Sequence, residues 1–302
     1  MWDMKVTEEE SMRDGTVQTE IAPTETVVAV KRDRLRSLIW PREHGAWGIL
    51  LVPLVTGAAA ALLQARSVLP IAFFLLASLA LFCLRTPVEA LLGTSVQRVQ
   101  NAAERQAAVL AASFFCVVAA ISLAALFWGG HNQALFLLGA ASAVSFGAQA
   151  LLRKVGRSTR LLSQIVGSIG LTSTSAGAYY VATGRLDATA YMIWAANWLF
   201  AANQIHMVQL RIRAAKVAGL YNRVSHGWKF LLSEVLTVAL LVVFFHYHLL
   251  PKMSVIAFHP MLLRGAAWFF KKPRPLRVHR LGLMELGFAM IFGIMFISGF
   301  VR

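Results

Sequence analysis

From Pro41 onward the chain is a succession of apolar runs, each about the length of a bilayer-spanning helix, separated by short polar breaks. A spanning helix needs about 20 predominantly apolar residues, because lipid offers no hydrogen-bond partner to an exposed backbone amide or carbonyl. The runs place spans near 44–63, 68–86, 108–128, 134–152, 162–182, 188–208, 230–250, 253–270 and 281–300. The expected fold class is therefore all-α, a polytopic membrane helical bundle of nine transmembrane helices. Composition agrees: 58% of the 302 residues are hydrophobic and 14% charged, against roughly 25% charged in an ordinary soluble domain. That balance excludes a disordered chain and argues against a soluble enzyme.

The net charge of +15 would make nucleic acid the first partner to consider in a soluble protein. Its placement points elsewhere. Short cytosolic loops collect Lys and Arg, and with nine spans the basic residues divide loop by loop, 24 on one side and 4 on the other. With Arg85, at the cytosolic end of the second span, counted with the loop that follows it, Arg264 is the remaining basic residue and falls within a span. The division orients the chain with its N-terminus cytosolic and its C-terminus outside. The basic side then attracts anionic lipid, worth about 1 kcal/mol per residue near the surface. Membrane lipids are the expected partner, and nucleic acid is not.

Two domains are expected: a flexible cytosolic tail over residues 1–37, polar and without helical periodicity, and the nine-span domain over 38–302. No signal-peptide pattern precedes the first span. Cys83 and Cys116 both lie inside apolar runs and fit neither a metal site nor a disulfide framework, so buried packing thiols are expected.

Ionisable residues retained in lipid are costly, on the order of 2.5–3.5 kcal/mol at a helix centre, so their positions invite explanation. Glu43, His44, Arg85, Glu89, His206, Glu234, Arg264 and Glu285 all fall toward the cytosolic ends of the spans. Such a one-sided set suits a cytosol-facing polar cavity; the plainer alternative is interfacial snorkelling and capping. The sixth span is the most informative. Asn197, Gln204 and Arg211 share one stripe, whereas His206, Gln209 and Arg213 share another on roughly the opposite side, so that stretch must be enclosed by protein or leave the membrane. In the fourth span Ser142, Ser145, Gln149 and Arg153 follow one another at helical spacing. In the fifth, Gln164, Ser168, Thr172, Ser175 and Tyr179 do the same, and interhelical hydrogen bonding is the simpler account of both stripes.

At the first span, Arg42 and His44 beside a helix start opened by Pro41 suit an anion site. Equally, Trp40 and Trp47 suit an interfacial anchor in which Arg42 and Glu43 shield one another. Pro87, between Arg85 and Glu89, should kink or end the second span. Arg264 and Glu285 lie at similar depth on consecutive spans and are expected to form a structural ion pair. After residue 34 only six acids remain, scattered along the chain, so neither a metal nor a cofactor is expected.

Trp40–Gly48, Ala178–Gly184, Gln209–Arg213 and Arg280–Glu285 together resemble the YwiC-like family of bacterial integral membrane proteins, over about residues 38–302. The resemblance implies a multi-pass protein of the bacterial cell (inner) membrane and carries no established activity. More distantly, nine spans with cytosolic loops after the second and sixth helices are similar to the UbiA superfamily of membrane prenyltransferases. Those enzymes place Asp-rich motifs on these loops and hold a prenyl diphosphate through Mg²⁺. Here the first region reads Arg85-Thr86-Pro87-Val88-Glu89 and the second runs from His206 to Arg213, with bases where acids would stand. The likeness therefore implies at most a metal-free transferase whose arginines hold the anion directly.

The leading expectation is a cytosol-facing polar cavity that binds an anionic or amphipathic ligand, isoprenoids included. Arg42, Glu43, His44, Arg85, Asn197, Gln204, Arg211 and Arg213 are its candidate ligand-binding residues. Glu89 or His206 would be the general base if there is a reaction. The alternatives are a permease for a small anion and an accessory or assembly protein of a membrane complex.

Overall fold

A computed structural model describes residues 34–41, 44–64, 68–93, 98–130, 133–271 and 278–301. The fold is all-helical over these residues. Its elements are α1 (His44–Leu62), α2 (Val68–Leu91), α3 (Ala102–Trp128), α4 (Gln133–Val155), α5 (Arg160–Thr172), α6 (Thr174–Thr183), α7 (Ala188–Arg213), α8 (Leu220–His246), α9 (Lys252–Ile256), α10 (His259–Phe270) and α11 (Val278–Ser298). A further short helical segment, residues 34–39, docks Leu38, which is buried, and pairs Arg34 with Glu104 at 2.6 Å.

Local chemistry sets the helix ends. Asn101 caps α3 by accepting the amide of Glu104 at 2.8 Å, while the Glu104 carboxylate reaches back to accept the amide of Gln100, the residue before the cap, at 2.8 Å. Asp187 caps α7 by accepting the amide of Ala190 at 3.1 Å. α6 closes on Gly184, whose φ of 68° lies in the left-handed region that glycine adopts without strain.

Seven stretches among the described residues are long and apolar enough to cross a membrane: Gly45–Leu62, Val68–Leu91, Ala102–Trp128, Gln133–Val155, Leu220–His246, Lys252–Phe270 and His279–Ser298. The expected count of nine is not met on this criterion. The stretch expected near 162–182 is two helices, α5 and α6, that change over at Ser173. There Ser173 and Thr174 turn their hydroxyls back on the carbonyls of Gly170 and Leu171 at 2.8 and 2.7 Å. The stretch expected near 188–208 is the single helix α7, which runs on to Arg213 and carries Asn197, Asn203, Gln204 and Gln209. The polar side chains that lower the hydropathy of these elements are the ones the bundle buries.

Helix α1 lies at the centre: half of its candidate span is buried, against 17% for α4 and for α8. It packs on α2, α5, α6, α7 and α11. At its closest crossing, Gly57 lies directly against the backbone carbonyl of Ser175 in α6, leaving no room for a Cβ. α2 pairs with α3, α4 with α5, and α7 with α8; α10 bridges α8 and α11. On the α7 side the core is aromatic, with Phe292 stacked on Phe200 at 4.0 Å and edge-on to Phe258 at 5.0 Å.

Two expectations differ in detail. Of the kink or end expected at Pro87, the end does not occur: α2 continues to Leu91, since one proline removes a single ladder bond and the last turn closes through Leu92 N to Val88 O at 2.9 Å. Cys83 is buried, but Cys116 is exposed, on a face of α3 that also presents Ser113 and Ala120. An apolar run in a membrane helix has a lipid face as well as a packed one, so membership of the run does not bury the thiol.

Candidate functional site

Between the α2–α3 pair and the α4–α5 pair lies a cavity of about 980 Å³, at the large end of ligand pockets. At its far end Phe127 of α3 stacks on Phe136 of α4, with centroids 4.9 Å apart. From Phe136 to Arg153 the lining follows α4 for about 25 Å at 1.5 Å per residue. The walls are mostly apolar, with Phe74, Leu81, Phe82, Leu123, Leu135 and Phe146 prominent. Ser142, Ser173 and Thr174 place hydroxyls at mid-depth, where α5 gives way to α6. Toward the C-terminal ends of α2 and α4 the lining becomes ionic: Arg85 and Glu89 from α2, Gln149 and Arg153 from α4.

Arg85 and Glu89 are paired along one face of α2, Nε to Oε1 at 2.8 Å, both side chains about 37% exposed. A half-exposed i,i+4 pair is worth only about 0.3–0.5 kcal/mol. It holds the guanidinium in place without saturating its five donors. With Arg153 also in the lining, this end of the cavity carries, among the described residues, two cations against one carboxylate. Gln149 packs its amide directly against Gly167 of α5, where any side chain would displace it. Several wall residues on α4 are exposed, among them Phe136, Gly139, Ala143, Phe146 and Arg153, so the cavity opens along its α4 side. Chemically it is an amphipathic slot, apolar for most of its length and cationic at one end.

The residues expected around one cavity occupy two places. Arg85 and Glu89 line the slot. Asn197, Gln204, His206, Arg211 and Arg213 do not line it and belong to α7. Asn197 is buried against α1, where its Oδ1 accepts Thr56 Oγ1 at 3.2 Å. Gln204 donates to the Glu285 carbonyl of α11 at 2.6 Å. His206 Nδ1 meets Ser233 Oγ of α8 at 3.1 Å, and Gln209 donates to Gln164 of α5 at 2.9 Å. α7 is thus polar on both sides because helices cover both. Arg213 is exposed at its end. Arg42 and Glu43 lie outside the described residues, as does the side chain of His44.

A second polar group surrounds the cytosol-facing expectation for Arg264 and Glu285. The two form an ion pair through Nη1 and Oε2, with side chains only 7% and 5% exposed. Arg264 also lies 4.5 Å over the Phe288 ring. Nearby, Asn203 donates to the Glu234 carboxylate at 2.6 Å. Among the described residues no group of three or more His, Cys, Asp or Glu side chains lies together as a metal site would require.

Sequence reasoning passed over Gln149, Arg153 and Ser142 as site residues. Their spacing marks an interhelical stripe, and in part they form one: Ser142 Oγ lies 2.9 Å from Ser173 Oγ, and Ser145 of the same stripe donates to Val166 O at 2.5 Å. The same stripe rims the slot. The signal was present in the stripe ending in an arginine, which no helix–helix contact needs.

Residues 40–181 match the family model of the YwiC-like protein. The similarity expected from residues 38–302 is thereby shown over a little under half of the chain. Every lining residue of the cavity, from Leu50 to Thr174, falls inside this YwiC-like stretch, while α7 to α11 follow it. No curated protein matches the chain, and nothing found supports the more distant likeness to the UbiA superfamily.

Proposed function

We propose that the protein binds an anionic, membrane-resident amphiphile in the slot between α2 and α4, with the apolar chain along Phe74, Phe82, Phe127 and Phe146 and the headgroup at Arg85 and Arg153. The observation that carries this is the cavity itself: about 980 Å³, apolar over most of its length, and, among the described residues, cationic at one end. A soluble metabolite has no use for such walls, and a lipid-like ligand has no use for a polar pocket. The opening along α4 gives such a ligand a lateral path from the bilayer. Isoprenoid phosphates belong to this class, and guanidinium groups bind phosphate without a metal.

The same proposal places the whole of residues 38–302 in a YwiC-like unit of the bacterial inner membrane, multi-pass, with the N-terminus in the cytosol. The cationic end then faces the cytosol, because α2 and α4 end at the loops that carry the basic charge. If a reaction occurs there, Glu89 is the base within reach of the headgroup; His206 sits on another helix pair.

The test is equilibrium binding of a radiolabelled prenyl diphosphate to the purified chain in nanodiscs, with excess EDTA. Saturable binding that falls about 10- to 100-fold in Arg85→Ala and in Arg153→Ala supports the site, as expected for loss of a charge-assisted hydrogen bond. Binding unchanged in both variants, or abolished by EDTA, contradicts it.

A further inference from the structure

The walls of the slot are interrupted by a polar band well away from its ionic end. On α2, Ser78 lines the slot seven residues before Arg85, about 10 Å away at 1.5 Å per residue. Ser78 is only 9% exposed, yet its hydroxyl makes no hydrogen bond among the described residues. A serine inside a helix commonly turns its hydroxyl back on a carbonyl three or four residues earlier, as Ser142, Ser163 and Ser168 do. Ser78 does not, and a buried hydroxyl without a partner destabilises the fold unless something in the slot accepts its proton.

Three more hydroxyls stand at the same level. Phe74, one turn before Ser78, packs directly against Gly177 of α6, which leaves no room for a Cβ. α2 and α6 run in opposite directions along the bundle, so one turn further on α2 brings Ser78 level with Ser173 and Thr174, both of which line the slot. Ser173 Oγ lies 2.9 Å from Ser142 Oγ of α4, which carries the band to a third wall. Arg85 and Arg153 stand seven and eleven residues further along α2 and α4, so the band itself is neutral.

The band has a polarity of its own. Ser142, Ser173 and Thr174 have their protons engaged by the carbonyls of Leu138, Gly170 and Leu171 or by one another, so they offer the slot oxygen lone pairs. Ser78 offers a proton. One free donor level with several free acceptors matches a hydroxyl group, which accepts one hydrogen bond and donates another. A carbonyl or ether oxygen would use Ser78 alone, and a plain hydrocarbon chain would use none of the four.

Given a slot that holds an anionic amphiphile, as proposed above, we infer that the ligand is hydroxylated in mid-chain, with Ser78 donating to that hydroxyl and the oxygens of Ser142, Ser173 and Thr174 accepting from it. Arg85 and Arg153 hold the head; the serine band fixes the depth of the chain and selects it over an unsubstituted one.

The experiment uses the full chain in nanodiscs carrying the radiolabelled prenyl diphosphate. It follows displacement of the label by stearate, by stearate hydroxylated beside the carboxylate and by stearate hydroxylated at mid-chain, each at equal mole fraction in the bilayer. The mid-chain hydroxy acid should displace the label at about 3- to 10-fold lower mole fraction than the other two, the worth of a neutral hydrogen bond. Ser78→Ala should lose that advantage and leave displacement by stearate unchanged. Equal displacement by stearate and the mid-chain hydroxy acid in wild type overturns the inference, while the bound label leaves the slot standing as an amphiphile site. An advantage that persists in Ser78→Ala overturns it too, since the hydroxyl is then recognised elsewhere. So does a label that binds through Arg85 and Arg153 and is displaced by none of the three acids. A label that fails to bind at all removes the slot proposal and this one with it.

Discussion

Gly57 shows how a single atom can govern the bundle. With a Cβ at this position colliding with the Ser175 carbonyl, α1 and α6 would have to separate, and a carbonyl held in a helix cannot swing aside as a side-chain tip can. Gly57→Ala should therefore cost about 1–3 kcal/mol, the usual range for overpacking, and lower the thermal midpoint. An unchanged midpoint would mean that the crossing is looser than described. The two arginine–glutamate pairs make a second residue-scale contrast. Glu285→Ala strands a guanidinium that is 7% exposed and should cost about 3–5 kcal/mol. Glu89→Ala, in a pair about 37% exposed, should cost about 0–1 kcal/mol. Unfolding of both variants in the same detergent tests the ranking, and equal losses would contradict it.

At the scale of elements, α7 and the α5–α6 pair are buried despite being the least apolar of the expected spans. Their hydroxyls and amides are consumed between helices: Asn197 by Thr56, Gln204 by the Glu285 carbonyl, and the α5 carbonyls of Ile169 and Ile165 by the indoles of Trp194 and Trp198 at 3.1 and 3.3 Å. A nitroxide at Ala196, fully buried, should be shielded from oxygen, whereas one at Val144, 72% exposed on α4, should be strongly relaxed by it. Similar oxygen accessibility at the two positions would place α7 at the lipid boundary and contradict the layering. The enclosure of α7 was legible in its two opposed polar stripes, Asn197–Gln204 and His206–Gln209, because no helix polar on both sides can face lipid. The changeover at Ser173 was not legible. Serines and threonines at helical spacing look the same whether they bond across helices or back onto their own carbonyls.

For the whole molecule, periodicity and charge placement foretold an all-helical bundle, but not which helix pairs would part to leave a cavity. That depends on side-chain fit over long sequence separations: Phe74 against Gly177, Gln149 against Gly167, and Phe127 against Phe136. Arg85 and Glu89 were recognisable because their charges sit within an apolar run. Arg153 was legible only as the end of an interhelical stripe, because it stands two residues from a helix end, where a cation has the helix terminus and the headgroups to face. The proposed topology makes its own prediction. Alkaline phosphatase fused after Val301 should be active if the C-terminus lies outside, and activity should be lost in fusions after Lys216, in the loop following α7. The reverse pattern would invert the orientation and turn the cationic end of the slot away from the cytosol.

The central claim is that the slot holds an anionic amphiphile. Native mass spectrometry of the full chain, released from nanodiscs made of its own membrane lipids, tests it most directly when wild type is compared with Ala143→Trp. Ala143 lines the slot from α4, so an indole there takes up its space while both Arg85 and Arg153 are kept in the chain. The account predicts a stoichiometric anionic adduct on wild type that is absent from a folded Ala143→Trp variant. The same adduct at the same occupancy on both chains would show that the slot is not where the ligand sits.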